Sequence, residues 1–305
     1  MEVQTTLTTV ISIFLLLLAG YAAKRFGALK PGDSVVVNSI VINLTMPAFI
    51  FIFTHGKPIT SGMVKAPALG FAMEMVVMGV AYLASRAMRM DRRTTGAFML
   101  VSTFGNTGFL GYPVVSAAFH GHKGAVLTAV MFDEFAMAMI LNSIGVAVAA
   151  AFAGSKFKWG NLLEFLKTPL FPATIVALIL KDVPMPSLLM KTLGYLAAGT
   201  VPLAMISIGL SLSTGTVKEY PKPIAVAFVL KMAMLPALMY FILPFAGVTG
   251  IVSKVVVLES AMPSAVFSGV VAARYGANGA FAAGAIFLMT LASVLVIPGT
   301  LLLIQ

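Results

Sequence analysis

Five ionisable side chains fall inside strongly apolar stretches of this sequence and are its first candidates for chemistry. Asp133 and Glu134 are adjacent, while Glu74, Lys231 and Glu259 stand in three other stretches. Ionisable groups are costly inside a membrane and usually serve a function or pair with one another. A carboxyl in such a medium can carry a proton or ligate Na⁺. We therefore interpret Asp133, Glu134 and Glu259 as candidates for ion or proton coupling.

Glu74 and Lys231 have a second interpretation because they are nearly related by the internal repeat described below. The simpler hypothesis is a buried structural ion pair that joins the two repeats. The alternative is a proton switch or a counter-charge for a bound anion. Under either hypothesis, removing one partner leaves a buried charge uncompensated.

The first chemical motif is a stretch that should interrupt a membrane helix. Residues 102–113 read Ser-Thr-Phe-Gly-Asn-Thr-Gly-Phe-Leu-Gly-Tyr-Pro. Pro113 removes a backbone donor and crowds the carbonyl four residues earlier. Freed carbonyls within a bilayer need partners, which nearby side chains or a cavity can supply. We expect Asn106, Thr107, Gly108 and Pro113 at a solute-binding site; the alternative is a kink that permits close helix packing.

A second stretch of the same kind lies in the other half of the chain. Residues 259–264 read Glu-Ser-Ala-Met-Pro-Ser and contribute Ser260, Pro263 and Ser264 as further substrate-binding candidates. Two interrupted helices at matching positions are a sequence pointer to a transporter site. The positive end of each second half-helix would favour an anionic group such as a carboxylate.

The elements that must position these residues are membrane helices. The chain has 305 residues, of which 60% are hydrophobic and 10% charged, and a mean hydropathy of +1.02. Soluble domains have about 45–50% apolar and about 25% charged residues, so a soluble enzyme, a DNA-binding domain and a disordered chain are excluded. We predict an all-α polytopic membrane protein whose ten spans, numbered 1 to 10, are Thr5–Ala23, Ser34–Phe53, Ala66–Met88, Thr95–Phe119, Ala125–Ala153, Thr168–Leu180, Ser187–Ser213, Ile224–Ala246, Ile251–Ala273 and Ala280–Ile304.

Charge sets the predicted orientation. If the N-terminus lies outside, Lys and Arg are roughly twice as frequent in the inner loops as in the outer loops, which satisfies the positive-inside rule. We predict a multi-pass plasma membrane protein, in a bacterium the inner membrane, with both termini outside. The net charge of +10 is thus a topology signal, and no nucleic-acid partner is expected.

An internal repeat is also indicated. The shift that moves Pro47 onto Pro202 also aligns several glycines of the two halves. We predict a first five-helix repeat over 1–153, a cytoplasmic linker over 154–167 and a second repeat over 168–305. Because five is odd, the second repeat would be inverted in the membrane, which is typical of transporters.

Several of these motifs together resemble the auxin efflux carrier family. The resemblance rests on Asn106-Thr107-x-x-x-Gly111-x-Pro113, Asn43-x-x-x-Pro47, Val201-Pro202-Leu203-Ala204-x-x-Ser207-x-Gly209, Ala261-Met262-Pro263 and Ala273-Arg274-Tyr275-Gly276. It extends from the first span to the last. The short linker, and Ser264 and Ser268 where plant members carry Gln and Pro, make this chain more similar to a prokaryotic-type member.

The resemblance implies two inverted five-helix repeats in which broken spans 4 and 9 cross beside the substrate. Spans 1, 2, 6 and 7 would form a scaffold, often a homodimer, and spans 3–5 and 8–10 a transport domain. The function implied is secondary active transport of a small organic anion, a carboxylate, by elevator-type alternating access. The alternatives are a sodium-coupled symporter of the bile-acid-symporter type and an anion channel.

Coupling and cofactors remain open at this stage. Transport could be coupled to H⁺, coupled to Na⁺ or uncoupled. The sequence has no Cys, no His-Glu-x-x-His and no Walker-type run, so we expect no enzyme activity, no bound metal and no cofactor.

Overall fold

The structure is a computed structural model, and it is helical almost throughout. It describes residues 2–30, 32–120, 122, 124–155, 166, 168–212 and 217–304. The predicted linker, 154–167, lies mostly outside these ranges. Within them the backbone forms helices and turns, with one isolated β-bridge between Gly105 and Ser264.

The helices follow the predicted apolar stretches closely. In chain order they are α1 (Glu2–Arg25), α2 (Asp33–Thr54), α3 (Ser61–Ala87), α4 (Arg92–Thr103), α5 (107–118), α6 (Ala125–Ala153), α7 (Leu170–Ile179), α8 (Ser187–Ser211), α9 (Pro221–Phe245), α10 (Gly250–Ser260), α11 (Val266–Arg274) and α12 (Gly279–Ile304). Predicted spans 4 and 9 are each divided, into α4 with α5 and into α10 with α11.

Six of these helices, α2, α3, α6, α8, α9 and α12, are long and apolar enough to cross a membrane. α7 is apolar but shorter. The chain is therefore an all-α protein that crosses the membrane several times. Ten spans and an inverted repeat remain predictions.

Several helices contain π-helical turns, in which one extra residue widens the turn. They are Val41–Thr45 in α2, Thr107–Gly111 in α5, Asp133–Ala138 and Leu141–Gly145 in α6, and Leu230–Met234 in α9. Such turns are frequent at functional sites. Three of them hold residues that the sequence singled out, namely Thr107, the Asp133–Glu134 pair and Lys231.

The chain forms two compact units, each built from separate segments. The first comprises Met1–Thr60, Gly108–Val130 and Leu166–Leu212. It contains α1, α2, α7, α8 and most of α5. In this unit α1 and α8 pack backbone to backbone. The two helices are so close at Gly20 that a Cβ there would collide with the Ile206 carbonyl oxygen.

The second compact unit comprises Ser61–Thr107, Met131–Phe165 and Ser213–Gln305. It contains α3, α4, α9 to α12 and most of α6. In this unit α4 packs against α3, α6 and α12. Phe98 of α4 contacts Phe281 of α12, with 6.3 Å between ring centroids.

The beginnings of α4 and α12 lie side by side in the second unit and are capped. The Thr94 N–H donates to Asp91 at 3.1 Å, and the Phe281 N–H donates to Asn278 at 2.9 Å. The Asn278 amide also donates to the Thr94 hydroxyl at 2.9 Å. Burial acts to raise the pKa of Asp91, but hydrogen bonds from Thr94 and neighbouring backbone groups outweigh it, so this pKa is lowered.

Candidate functional site

The first interruption separates α4 from α5. α4 ends at Thr103 because Phe104 adopts an extended conformation, with φ −91° and ψ 129°. Thr107 then begins the π-helical turn of α5. We predicted this interruption from three glycines together with Pro113, but Pro113 lies well beyond it, in the first turn of the regular helix Tyr112–Ala118. The π-helical turn comes directly before this helix, so Pro113 stands inside α5 and not at the interruption.

The second interruption separates α10 from α11 and closes largely on its own helix. α10 ends at Ser260, and the Met262 N–H donates back to the Glu259 carbonyl at 3.2 Å. Pro263 follows and has no N–H to continue the helix. Ala265 is extended, with φ −60° and ψ 131°, and α11 begins at the next residue.

The two interruptions pair with each other through their backbones. The Asn106 N–H donates to the Pro263 carbonyl at 2.7 Å, and the Ala265 N–H donates to the Phe104 carbonyl at 2.9 Å. These bonds form an antiparallel bridge, so the predicted meeting of the two broken segments is present. Each segment thus supplies hydrogen-bond partners for backbone groups that the other leaves unpaired.

α6 holds the first interruption through two further contacts. The Gly105 N–H donates to the Met137 sulfur at 3.2 Å. The Thr107 hydroxyl donates to the Asp133 carboxylate. Asp133 and Met137 are four residues apart in the same π-helical turn of α6. Sequence reasoning missed Met137 and the role of Gly105; the four-residue spacing from Asp133 was the available signal.

Asn106 is left with an unused donor. Its side chain is 5% exposed, and its NH₂ group has no hydrogen-bond partner among the described residues. Five other buried side chains at the interruptions and adjoining helix ends also carry oxygens without a partner there: Ser102, Thr103, Glu259, Ser264 and Ser268. Buried polar groups are normally satisfied, so such a cluster calls for a ligand, an ion or water.

Lys231 brings a positive charge to the end of α10. Its side chain is fully buried, and its ammonium donates to the Ser260 carbonyl at 2.7 Å. A cation at the carbonyl end of a helix is favourable. Gly105 makes this position available, because a Cβ there would lie 3.0 Å from both Nζ and Cε of Lys231.

Glu74 and Lys231, the predicted structural ion pair, interact electrostatically but without a hydrogen bond between them. Both carboxyl oxygens of Glu74 are buried without a hydrogen-bond partner in the described part of the chain. The Lys231 ammonium donates its hydrogen bond to Ser260. Glu74 interacts with Lys231 and Asp133 electrostatically and not through a hydrogen bond. Lys231 bonds to Ser260 because the Ser260 carbonyl, at the end of α10, has no helical partner and lies next to the ammonium.

The remaining carboxyls surround Asp133. Glu74, Glu134 and Glu259 each interact electrostatically with it, and all four side chains are buried. One oxygen of Glu134 and both of Glu259 lack a hydrogen-bond partner among the residues described. In that same part of the chain, no group of three His, Asp or Glu side chains could hold a metal ion.

The structure brings most of the predicted substrate-binding residues together in the second compact unit. Asn106 and Thr107 lie at the first interruption, and Ser260, Pro263 and Ser264 at the second. Gly108 and Pro113 follow in α5, in a part of the helix that belongs to the first unit.

Apolar membrane-length helices and a buried polar site at two paired interruptions define a polytopic membrane transporter. Residues 5–301 match the family described as "Membrane transport protein". The chain belongs to this family, which is the auxin efflux carrier family that its motifs predicted.

The curated relatives are transporters of similar length. The chain is 33% identical over 298 residues to an uncharacterized transporter of Methanocaldococcus jannaschii, covering 94% of this chain and 95% of the relative. It is 28% identical to an uncharacterized transporter of Methanothermobacter thermautotrophicus, covering 95% of each chain. It is 25% identical to a Rhizobium meliloti protein named "Putative malonate transporter", covering 97% of this chain and 95% of that protein. These names point to a non-enzymatic role.

Proposed function

We propose that the protein is a secondary active carrier for a small organic anion, specifically a carboxylate, with its binding site where the two interruptions pair. The observation that carries this proposal is the unpaired, buried NH₂ group of Asn106 in a segment held on both sides. A carboxylate accepts hydrogen bonds from donors of this kind, and pairing would remove the cost of burying them unsatisfied.

Two further hydrogen-bond donors at the crossing support an anionic ligand. Lys231 uses one of its three N–H donors on Ser260 and keeps two for a ligand. Ser264 adds a hydroxyl without a partner among the described residues. The relative named for malonate supports a small carboxylate as the first compound to test.

The division into two compact units supports elevator-type alternating access. The first unit contains the helices that correspond to spans 1, 2, 6 and 7, the predicted scaffold, together with residues 108–130 of spans 4 and 5, and the second contains the paired interruptions. In the proposed mechanism the transport domain carries the bound anion while the scaffold stays fixed. A homodimer formed through the scaffold, a plasma membrane location and external termini belong to the same proposal.

Glu134 and Glu259 are the proposed coupling groups, and Asp133, the third candidate from the sequence, is assigned a positioning role below. Both carboxyl oxygens of Glu259 lack a partner in the described residues, and the residue lies in the last turn of α10 beside the crossing. An unpaired carboxyl at this place can take up H⁺ or ligate Na⁺. A sodium-coupled symporter of the bile-acid-symporter type is therefore the second candidate function, with Glu259 as the proposed Na⁺ ligand.

Uptake into reconstituted vesicles tests the proposal. Radiolabelled malonate and a set of monocarboxylates should each be offered over a range of concentrations, with and without Na⁺ and pH gradients. We expect saturable uptake that an unlabelled carboxylate inhibits. A linear, non-saturating flux would identify an anion channel instead.

The central variant is Asn106→Ala, which should abolish saturable uptake while the protein stays folded. Asn142→Ala is the matched control, because its amide donates within its own helix to Ala138 at 2.8 Å. Wild-type uptake by Asn106→Ala would remove Asn106 from the site.

A further inference from the structure

We propose that α6 positions the amide of Asn106 through a two-point clamp formed by Asp133 and Met137. This inference rests on the proposed function, in which Asn106 binds the substrate. It assigns Asp133 a positioning role that depends on its acceptor oxygen and not on its charge.

The clamp holds the two residues that flank Asn106. Met137 accepts a hydrogen bond from the Gly105 N–H, and Asp133 accepts one from the Thr107 hydroxyl. Residues four apart on a helix face the same side, so one turn of α6 can reach both flanks. All of these groups are buried, and water does not compete for the bonds.

The second interruption holds the same segment by other atoms. It binds the Phe104 carbonyl and the Asn106 N–H through the backbone of Ala265 and Pro263. Four successive residues, 104–107, are therefore anchored by groups outside α4 and α5. The Asn106 NH₂ remains without a partner in the described structure.

Anchoring of this kind has a kinetic consequence. A displacement of about 1 Å in a positioning group can lower a rate by about 10²-fold, because the bound geometry is lost. Loss of one clamp contact should thus weaken transport without removing any group that touches the substrate.

The clamp and a coupling role for Asp133 make different demands on the side chain. Asparagine keeps an oxygen that accepts from Thr107 but carries no charge, whereas alanine has neither. The ionisable groups that face Asp133 are Glu134 on its own helix, Glu74 on α3 and Glu259 on α10. Asp133→Asn and Asp133→Ala both remove the charge of Asp133 from these three groups, so the comparison of these two variants isolates the acceptor oxygen.

The experiment compares paired variants in the reconstituted full chain with malonate as the probe. Thr107→Val removes the donor at nearly constant volume and should lower the initial rate at subsaturating malonate by about 10- to 100-fold. Thr107→Ser keeps the donor and should stay within about 3-fold of wild type, because the hydrogen bond survives. Asp133→Asn should resemble Thr107→Ser in rate, and Asp133→Ala should resemble Thr107→Val, while the two Asp133 variants share one pH profile because both lack the same charge.

A double variant tests whether the two residues act as a unit. Thr107→Val combined with Asp133→Ala should be no worse than either single variant, because one contact cannot be lost twice. Fully additive losses would overturn the clamp. Equal losses in Asp133→Asn and Asp133→Ala, with Thr107→Val unaffected, would also overturn it and leave Asp133 as a coupling group.

Hydrogen exchange separates failure of the clamp from failure of the proposed function. Amides of Thr107–Gly111 should exchange faster in Thr107→Val and in Met137→Leu than in wild type, because the start of α5 has lost an anchor. Unchanged exchange in both variants would overturn the clamp. If wild type transports no carboxylate, the proposed function fails, and this measurement still decides whether the clamp exists.

Discussion

The two interruptions differ in what keeps them open. The second one closes on its own helix, through backbone bonds of α10 and through Pro263, which cannot donate a backbone hydrogen bond. The first one has no proline within it and depends on α6, through Asp133 and Met137, and on the backbone of the other interruption. One segment is set by its own sequence, and the other is set by its neighbours.

This difference suggests different tasks. A segment that is fixed by its own sequence keeps one conformation. It presents the same acceptors to its neighbours, here the carbonyls of Ser260 and Pro263. A segment held by neighbouring side chains can change when those side chains change their contacts. The adjustable segment is the one that carries Asn106, the proposed substrate ligand.

The largest effect should follow from removing the cation that holds the self-closed segment. Lys231→Met keeps an unbranched side chain but leaves the Ser260 carbonyl unpaired, which costs about 1–3 kcal/mol. It also removes the buried positive charge that lies within electrostatic range of Glu74 and Glu259. We expect a lower unfolding temperature and loss of uptake. Lys222→Met, at an exposed position of the same helix, is the control.

Gly105→Ala should disturb both interruptions at once, with a smaller effect on stability. The added Cβ would lie 3.0 Å from Lys231 Nζ, so the ammonium must move away from Ser260 or the segment must shift. Overpacking of this kind costs about 1–3 kcal/mol. Gly79→Ala in α3, where nothing lies within 4 Å, should instead leave stability unchanged or raise it. Equal unfolding temperatures for the two variants would contradict the close approach.

The smallest effect concerns a helix beginning remote from the crossing. Asp91→Ala removes the cap of α4 and should cost about 1 kcal/mol at pH 7, whereas Asp91→Asn should cost less. Because folding lowers the pKa of Asp91, its charge stabilises the protein above the unfolded-state pKa of about 4. This contribution is lost as the pH falls through the folded-state pKa. The gap in unfolding temperature between wild type and Asp91→Ala should therefore be smaller at pH 3 than at pH 7.

Much of the fold could be predicted from composition alone. Apolar runs long enough for a bilayer locate the helices, and the structure begins and ends α6 at the predicted Ala125 and Ala153. The pairing of the two interruptions was expected from the resemblance to the auxin efflux carrier family. Such features depend on local sequence and on the lack of water in a membrane.

The contacts of the site depend on distant residues and could not be read from the sequence. Pro113 marks the interrupted stretch but not the place of the interruption, since a π-helical turn comes between them. Glu74 and Lys231 have opposite charges at related positions, yet the lysine contacts a helix end. Whether the Lys231 ammonium bonds to the Glu74 carboxylate or to the Ser260 carbonyl depends on how α3, α9 and α10 pack.

The bridge between Gly105 and Ser264 joins residues from opposite halves of the chain. Contacts between residues so far apart in sequence form late, because the intervening chain must first be arranged. During synthesis, α4 and α5 are made long before α10 and α11 exist. The first half must therefore keep residues 104–107 unpaired until the second interruption has been made. During this interval the unpaired segment is accessible to a chaperone or a protease.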